Sequence, residues 1–416
     1  MRNNPLILLV ISASIAPACN PASDGESDTV TSTDAATTTT IAETENGTAT
    51  SAGSDATTGA GTDTTTGTGS DATTSAGTDT GADDHGVFPD AEWEYRSPAE
   101  LGMDPAKLDT FVGYLGGSGV VIKDGYLVKS WGGDTTEIMW ASAAKPVLST
   151  MLFFAIDEGR LASVDTPLDE LGYWSFQPQD TAMTFRHLAD MTGGYARGEG
   201  PGQAWAYNDF AIKLYIRTLF ERVFDDGSAD AATWRSDRLG ALQFQDNPGF
   251  RAWLGYEDLL YATPRDFARI GWLWLNRGRW GDEHILPQSF FDNHMKPDVA
   301  NTLPHTSQGG SDYLNIGTYG GESDQTPYGP GIYGFNWWFN DVVEQTGTLT
   351  WPDAPPDTFQ ANGHWNREIV TVIPSLNLVV AAAGAWDLNQ NRFSPGDPTW
   401  GMNTALALLA EAAGGD

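Results

Sequence analysis

The chain has 416 residues, of which 55 are acidic and 22 are basic, so its formal net charge is −33 at neutral pH. Such an excess of negative charge excludes a protein that binds nucleic acid through its phosphates. Cys19 is the single cysteine, so no disulfide can form within the chain. All 16 tryptophans lie beyond residue 90, which predicts one large, well-packed core in the remaining part.

Residues 1–19 have the pattern of an export signal. Arg2 precedes a short apolar run, Pro5–Ile11, and small residues then lead to Cys19. The apolar run is too short to remain as a membrane-spanning helix. The pattern resembles a bacterial lipoprotein signal, so we expect cleavage before Cys19, lipidation of its thiol, and anchoring in the outer membrane or elsewhere in the envelope. The alternative is a secretory cleavage site beside an incidental cysteine, which would leave the protein periplasmic or secreted.

Residues 20–85 consist mainly of Thr, Ala, Gly, Ser and Asp. Gly53–Thr58 recurs as Gly69–Thr74, which is a tandem repeat of 16 residues. The segment carries 12 acidic and no basic residues, and it cannot bury enough apolar surface to offset the entropy of ordering it. We therefore predict a disordered tether over 20–85 and a folded domain over 86–416.

The folded domain is predicted to begin with a helix and a hairpin. Apolar residues at helical spacing predict a helix over Pro105–Leu115. The runs Val120–Ile122 and Tyr126–Val128 are separated by a turn that contains Asp124-Gly125, which is a strong hairpin signal.

The middle of the chain is predicted to be mostly helical. One helix is expected to have Ser142 and Pro146 in its first turn and to end at about Gly159. Others are expected over Thr184–Met191, from Trp205 to Leu219, and from Pro264 onwards with Thr263 as the N-cap. The stretch between the last two helices reads as a polar loop. Thr302–Gly331 is rich in Gly, Ser, Pro and Asp, which is typical of a long irregular loop that lines an active site.

The end of the chain returns to strands. We predict strands over Tyr333–Phe339, Glu368–Ile373 and Leu378–Ala383, and a last helix over about Thr404–Ala412. Strands at both ends of the domain with helices between them predict an α+β fold. In it, one antiparallel sheet is built from N- and C-terminal strands and faces a mostly helical lobe.

Ser142 and Lys145 form the first candidate catalytic pair. They lie three residues apart at the start of a buried apolar helix, so the ammonium and the hydroxyl can meet on one face. The free amides and positive dipole at a helix N-terminus can stabilise an oxyanion beside such a hydroxyl. Taken alone, Ser-x-x-Lys is a weak motif.

From about residue 95 to 390 the chain resembles the serine β-lactamase and penicillin-binding-protein superfamily, in particular its class C-like branch of esterases and 6-aminohexanoate-dimer hydrolases. Ser142 and Lys145 match its first motif. The second motif, Tyr-x-Asn, is matched by Tyr207-Asn208-Asp209, with Asp209 in place of the second asparagine. The resemblance implies that Tyr207 shuttles the proton between Ser142 and the leaving group. Asp209 either replaces the asparagine in binding substrate or pairs with Lys145.

The third motif of the superfamily is Lys-Thr-Gly or a variant, on a sheet-edge strand facing the nucleophile. Gly363-His364-Trp365 resembles such a variant. It implies an oxyanion hole formed by the amides of Ser142 and His364, with Gly363 allowing close approach of the substrate. Ala361 stands where a lysine would pair with a substrate carboxylate, so that anion anchor is absent unless Arg367 replaces it.

These motifs together predict a serine hydrolase that cleaves a small-molecule ester or amide through an acyl-enzyme on Ser142. Two alternatives remain at this stage. One is penicillin binding, β-lactamase or D,D-peptidase activity, and the other is a catalytically silent binding module on a tether. No cofactor motif is present, and the histidines lack the spacing of metal ligands. We expect no nucleic-acid partner, and contact with a membrane only through the lipid anchor.

Overall fold

The computed structural model describes residues 87–253, 256–307, 309–318, 326–384 and 393–414. The predicted signal, Cys19 and the tether lie outside the described residues. Among the described residues, no helix combines the length and apolar character needed to cross a membrane.

The domain contains twelve strands and eight α-helices in its described part. The strands are β1 Ser118–Lys123, β2 Tyr126–Trp131, β3 Ile138–Met139, β4 Gly249–Trp253, β5 Tyr256–Ala262, β6 Arg279–Trp280, β7 Glu283–His284, β8 Tyr333–Gly334, β9 Trp337–Phe339, β10 Phe359–Gly363, β11 Glu368–Ile373 and β12 Leu378–Ala383. The helices are α1 Pro105–Leu115, α2 Lys145–Asp157, α3 Phe185–Ala189, α4 Asp209–Arg217, α5 Ala229–Thr233, α6 Pro264–Leu275, α7 Gln288–His294 and α8 Gly401–Ala412.

The main sheet has seven antiparallel strands in the order β2-β1-β12-β11-β10-β9-β8. It combines the N-terminal hairpin with the C-terminal strands, which confirms the predicted α+β architecture. Smaller sheets, β3-β5-β4 and β6-β7, belong to the intervening, mostly helical part of the chain.

Helices cover both faces of the main sheet. On one face α6 approaches so closely that a Cβ added at Gly271 would lie 2.7 Å from Val370 Cγ1 and 2.8 Å from Val379 Cγ1. On the other face Gln360 Nε2 of β10 lies 3.5 Å from Met402 Sδ of α8. Because side chains alternate along a strand, Gln360 and the neighbours of Gly271 point to opposite faces. The core therefore has two layers with the sheet between them.

Several predicted boundaries are observed in the structure. Asp104 accepts hydrogen bonds from Ala106 N at 2.9 Å and Lys107 N at 3.2 Å, with Pro105 at the first helical position. Thr263 caps α6 in the predicted way. The predicted strands Glu368–Ile373 and Leu378–Ala383 are observed with the same bounds.

Other predictions were wrong. Tyr333–Phe339 is not one strand but the tight hairpin β8–β9, because Phe335 and Asn336 adopt φ values of +45° and +71° and reverse the chain. The helix predicted through Leu219 leaves α geometry after Arg217 and continues as a π-helix over Thr218–Phe224. The stretch read as a polar loop after it contains α5, β4 and β5.

The predicted irregular loop is confirmed over its described parts. Residues 302–307, 309–318 and 326–331 contain neither an α-helix nor a named strand. Thr326 from this loop lines the pocket that contains Ser142, as its composition predicted.

Candidate active site

Ser142 lies in a short 3-10 helix, Ala141–Ala144, that leads directly into α2. Ala141 has a φ of +45°, which is uncommon for a residue other than glycine and turns the chain sharply just before Ser142. The preceding Trp140 is fully buried and fixes this turn to β5. Its backbone N donates to Leu260 O at 3.0 Å, and its indole Nε1 donates to Ala262 O at 2.9 Å.

Lys145 is in contact with Ser142, as the spacing predicted. The Lys145 Nζ atom lies 2.6 Å from Ser142 Oγ. Sequence reasoning placed Ser142 in the first turn of the α-helix, whereas the structure places it in the 3-10 turn before it. This tighter turn has three residues per turn and aligns positions three apart more directly. The amine and the hydroxyl are therefore within hydrogen-bond distance, close enough for a proton to pass between them.

Lys145 also approaches Tyr207 of the second motif. The Lys145 Nζ atom is 5.1 Å from the centroid of the Tyr207 ring. The ring is buried, stacks on Trp338 at a centroid distance of 6.1 Å, and meets Tyr333 edge-on, also at 6.1 Å. Tyr207 lines the same pocket as Ser142. Ser142 and Tyr207 are 65 residues apart in sequence, but both lie near the Lys145 amine.

Asp209 is not among the described residues that line the pocket with Ser142 and Tyr207. It is the first residue of α4 and is buried, and Asn208 before it is the N-cap, whose Oδ1 accepts from Ala211 N at 2.9 Å. A carboxylate at the first turn of a helix interacts favourably with the helix dipole.

At Gly363 the third motif packs closely against the turn that carries Ser142. A Cβ added at Gly363 would lie 2.9 Å from Trp140 O, 3.0 Å from Ala143 N and 3.1 Å from Glu368 Oε2. Any larger residue would therefore push β10 away from the turn that carries Ser142. The motif does not lie on an edge strand, because β9 and β8 extend the sheet beyond β10. The ladder to β9 includes only Phe359 and Gln360, and beyond them β10 runs beside the Ser142 turn.

His364 lies in the tight turn after Gly363. Three consecutive residues, His364, Trp365 and Asn366, have φ values of +39°, +55° and +82°. His364 Nδ1 is 2.9 Å from Glu368 Oε2, and the imidazole lines the pocket with Ser142. Glu368 is 3% exposed, and Arg367 Nε lies 3.4 Å from its other oxygen. Sequence reasoning missed Glu368, although a lone carboxylate at the start of an apolar strand is a signal in itself.

The pocket has a largely aromatic wall. Its described lining consists of Ser142, Tyr207, Thr326, Trp338, Asn362, His364, Trp365 and Phe393. Its empty volume is about 450 Å³, which includes space open to solvent. No lysine or arginine is among these described lining residues. The sequence had indicated Trp365 only as part of the third motif, and it had not indicated Trp338, Asn362 or Phe393.

Two buried acidic groups, Tyr333 and Asp190, lie in the core at the β8–β9 turn. Burial raises the pKa of Tyr333 well above its usual value, and Asn336 Nδ2 donates to its hydroxyl at 3.2 Å. Burial also raises the pKa of Asp190 to about 8, although Phe335 N donates to its carboxyl at 2.7 Å. Burial therefore favours the protonated form of both groups at neutral pH.

Comparison with known proteins identifies relatives of this fold. The Beta-lactamase family model matches residues 106–393. The structure is similar to that of a presumed β-lactamase from Bacteroides dorei, with a TM-score of 0.53, 16% identity, and coverage of 75% of this chain and 99% of that one. A β-lactamase/D-alanine carboxypeptidase from Yersinia pestis gives a TM-score of 0.49, 16% identity, and coverage of 76% and 99%.

A presumed 6-aminohexanoate-dimer hydrolase from Bacillus anthracis gives a TM-score of 0.49 at 16% identity, covering 74% of this chain and 81% of that one. At these identities the first similarity establishes the fold alone. Among curated proteins, no sequence matches this chain.

Proposed function

We propose that this chain, which belongs to the β-lactamase family, cleaves an uncharged ester or amide through an acyl-enzyme on Ser142. Membership of the family implies serine hydrolase chemistry. The observation that carries the finer proposal is the 2.6 Å contact between Lys145 Nζ and Ser142 Oγ at the base of a pocket with an aromatic wall.

In the proposed acylation step, Ser142 Oγ attacks the substrate carbonyl carbon while Lys145 takes the hydroxyl proton. The oxyanion that forms is stabilised by the backbone amides of Ser142 and His364, at the junction that Gly363 keeps narrow. Tyr207, beside the amine, passes its proton to the leaving alcohol or amine as its bond to the carbonyl carbon breaks, and Lys145 returns the proton taken from Ser142 to the Tyr207 oxygen. Water then attacks the acyl-enzyme and releases the acid.

The proposed preference for an uncharged substrate rests on the pocket wall. A carboxylate of the substrate would need a cation beside the nucleophile. Ala361 is buried in β10 and offers none, and the Arg367 guanidinium lies beside Glu368. The rings of Trp338, Trp365 and Phe393 instead favour an apolar or aromatic acyl group.

β-Lactam hydrolysis or D,D-peptidase activity is the second candidate, because the family model favours it. It differs from the first in requiring recognition of a carboxylate. A fluorescent penicillin distinguishes the two. A stable adduct or turnover would support the second candidate, whereas hydrolysis of p-nitrophenyl butyrate without any penicillin adduct supports the first.

A serine-directed fluorophosphonate tests the shared chemistry. We expect it to label the wild-type chain once, at Ser142, and not to label Ser142→Ala. Ser149→Ala is a matched control, because Ser149 is buried and is not among the described residues that line the pocket. Its Oγ donates to Asn336 Oδ1 at 2.9 Å. Labelling that persists in Ser142→Ala, or no labelling and no ester turnover in the wild type, would refute the proposal in favour of a silent binding module.

We further propose that Cys19 carries the lipid that holds the protein in the envelope. The proposal rests on the apolar run and the small residues that precede Cys19. Metabolic labelling with a palmitate analogue should modify the full chain and not Cys19→Ser, which should then leave the membrane fraction. An unlabelled wild-type chain would refute it.

A further inference from the structure

We infer that His364 is the general base that activates the deacylating water, and that buried Glu368 is the positioning residue that holds its imidazole in the required tautomer. The inference rests on the proposed function, because it concerns the second half of the same reaction. It assigns the two steps to different parts of the site, with Lys145 serving the attack by Ser142 and His364 serving the attack by water.

The first observation is the conformation of the turn between β10 and β11. His364, Trp365 and Asn366 are all left-handed, a conformation that residues other than glycine adopt at an energetic cost, above all a bulky residue such as Trp365. The turn is held by Arg367 N, which donates to Gly363 O at 3.0 Å, and by Asn366 N, which donates to Asn362 Oδ1 at 3.0 Å. Strain that is retained in this way at a pocket wall points to a functional requirement for the position of His364.

The second observation is the hydrogen bond between His364 and Glu368. The Glu368 carboxyl is 3% exposed, and its two oxygens lie 2.9 Å from His364 Nδ1 and 3.4 Å from Arg367 Nε. A carboxylate accepts hydrogen bonds from both nitrogens, so we assign the proton of the 2.9 Å contact to His364 Nδ1. His364 Nε2 then has a free lone pair, which is the form that a general base requires.

The third observation is the position of this pair relative to Ser142. A Cβ on Gly363 would lie 3.0 Å from Ala143 N and 3.1 Å from Glu368 Oε2. The turn that carries Ser142 and the Glu368 carboxyl therefore both approach the same point on Gly363. The His364 side chain is 39% exposed and lines the pocket with Ser142, so water can reach it beside the acyl-enzyme.

The proposed step is balanced as follows. The water oxygen forms a bond to the acyl carbon while one of its protons moves to His364 Nε2. The bond between the acyl carbon and Ser142 Oγ then breaks, and the imidazolium returns the proton to Oγ. The products are the free acid and the regenerated hydroxyl, and Glu368 stays ionised and stabilises the transient imidazolium.

Two variants test the inference in the full-length chain. Glu368→Gln removes the charge and can donate to Nδ1, which favours the wrong tautomer. His364→Asn keeps a donor for Glu368, tolerates the left-handed turn and has no basic nitrogen. With p-nitrophenyl butyrate, both should give a burst of about one equivalent of p-nitrophenol per chain, followed by turnover about 10²–10³-fold slower than that of the wild type. Intact mass should then show the butyryl adduct.

Hydroxylamine provides the readout that a merely structural defect would not give. It attacks an acyl-enzyme without a general base, so it should release the adduct from both variants as the hydroxamate and restore turnover. The exposed Glu344→Gln is the matched control and should behave as the wild type. Ser142→Ala should give neither burst nor adduct.

Two results would overturn the inference while leaving the proposed function intact. One is turnover by Glu368→Gln and His364→Asn at the wild-type rate. The other is equal slowing of the burst and of steady-state turnover without an adduct, which would mean that the pair only supports the fold. If the wild type shows neither ester turnover nor fluorophosphonate label, the proposed function fails, and this inference fails with it.

Discussion

Gly363→Ala is the substitution that most directly tests how the two halves of the site are held together. The new methyl group would lie 2.9 Å from Trp140 O and 3.0 Å from Ala143 N. Both are backbone atoms, and they are joined by the hydrogen bond from Ala143 N to Trp140 O that closes the Ser142 turn. Neither can rotate away as a side chain could. The turn and β10 must therefore separate by a few tenths of an ångström.

The cost of this separation should appear in both stability and activity. Overpacking a well-packed interior typically costs about 1–3 kcal/mol, and the fixed position of Trp140 against β5 leaves little room for relaxation. Displacing catalytic groups by up to an ångström lowers rates by as much as about 10²-fold. We expect kcat/KM for p-nitrophenyl butyrate to fall by about 10–100-fold, with a modest loss in the free energy of unfolding.

Urea denaturation and steady-state kinetics check both numbers. Gly113→Ala is the matched control, because Gly113 is exposed within α1 and a Cβ there would meet nothing within 4 Å. This control should stabilise the chain by about 0.5–1 kcal/mol through helix propensity and leave activity unchanged. A Gly363→Ala chain with wild-type stability and activity would refute the close contact between β10 and the Ser142 turn.

Lys145, Asp190 and Gly271 each support a separate prediction. Lys145→Met should lower ester turnover by about 10²–10⁴-fold without unfolding the chain, and near-normal turnover would exclude Lys145 as the base. Burial raises the pKa of Asp190 to about 8, so only the folded chain keeps this proton between about pH 4 and 8. Stability therefore falls by up to ~1.4 kcal/mol per unit as pH rises through this window, and Asp190→Asn should remove that slope from urea midpoints. Gly271→Ala should cost about 1–3 kcal/mol by pressing α6 against Val370, and no loss would exclude that packing.

Local signals predicted the outer elements of the fold because their determinants are local. The Asp104 cap and Pro105 define the start of α1 within a few residues of sequence. The apolar runs of β11 and β12 are buried throughout and are separated by a single proline-containing turn. The ends of such elements are determined by residues nearby in sequence, so they could be predicted without knowledge of tertiary contacts.

The errors occurred where distant contacts decide the conformation. The β8–β9 hairpin needs positive φ at Phe335 and Asn336, and neither is a glycine that would announce a turn. Phe335 N donates to the buried Asp190, and Asn336 N donates to Ala189 O, about 145 residues earlier in the chain. The turn is therefore fixed by its contacts with α3 and the residue that follows it, and a single strand was the wrong prediction.

The candidate site was predictable to the extent that its groups belong to short motifs. Ser142 and Lys145 are three residues apart, and the structure brings them into contact. Tyr207 and His364 were placed by resemblance, and both line the pocket with Ser142. Glu368 belongs to no motif, and its relation to His364 depends on the left-handed turn that folds the chain back onto β11.

In the inferred mechanism, the role of Glu368 does not depend on the lysine of Lys-Thr-Gly. A lysine on β10 would supply a positive charge for a substrate carboxylate, but Ala361 supplies none. The hairpin instead places the His364 imidazole in the pocket with Ser142 and a buried carboxyl beside it. In the inferred mechanism this pair accepts a proton from water. The presence of Ala361 in place of lysine, which argues against β-lactam substrates, therefore fits a hydrolase in which a histidine drives release of the acyl group. Accumulation of the acyl-enzyme in Glu368→Gln would be direct evidence for that mechanism.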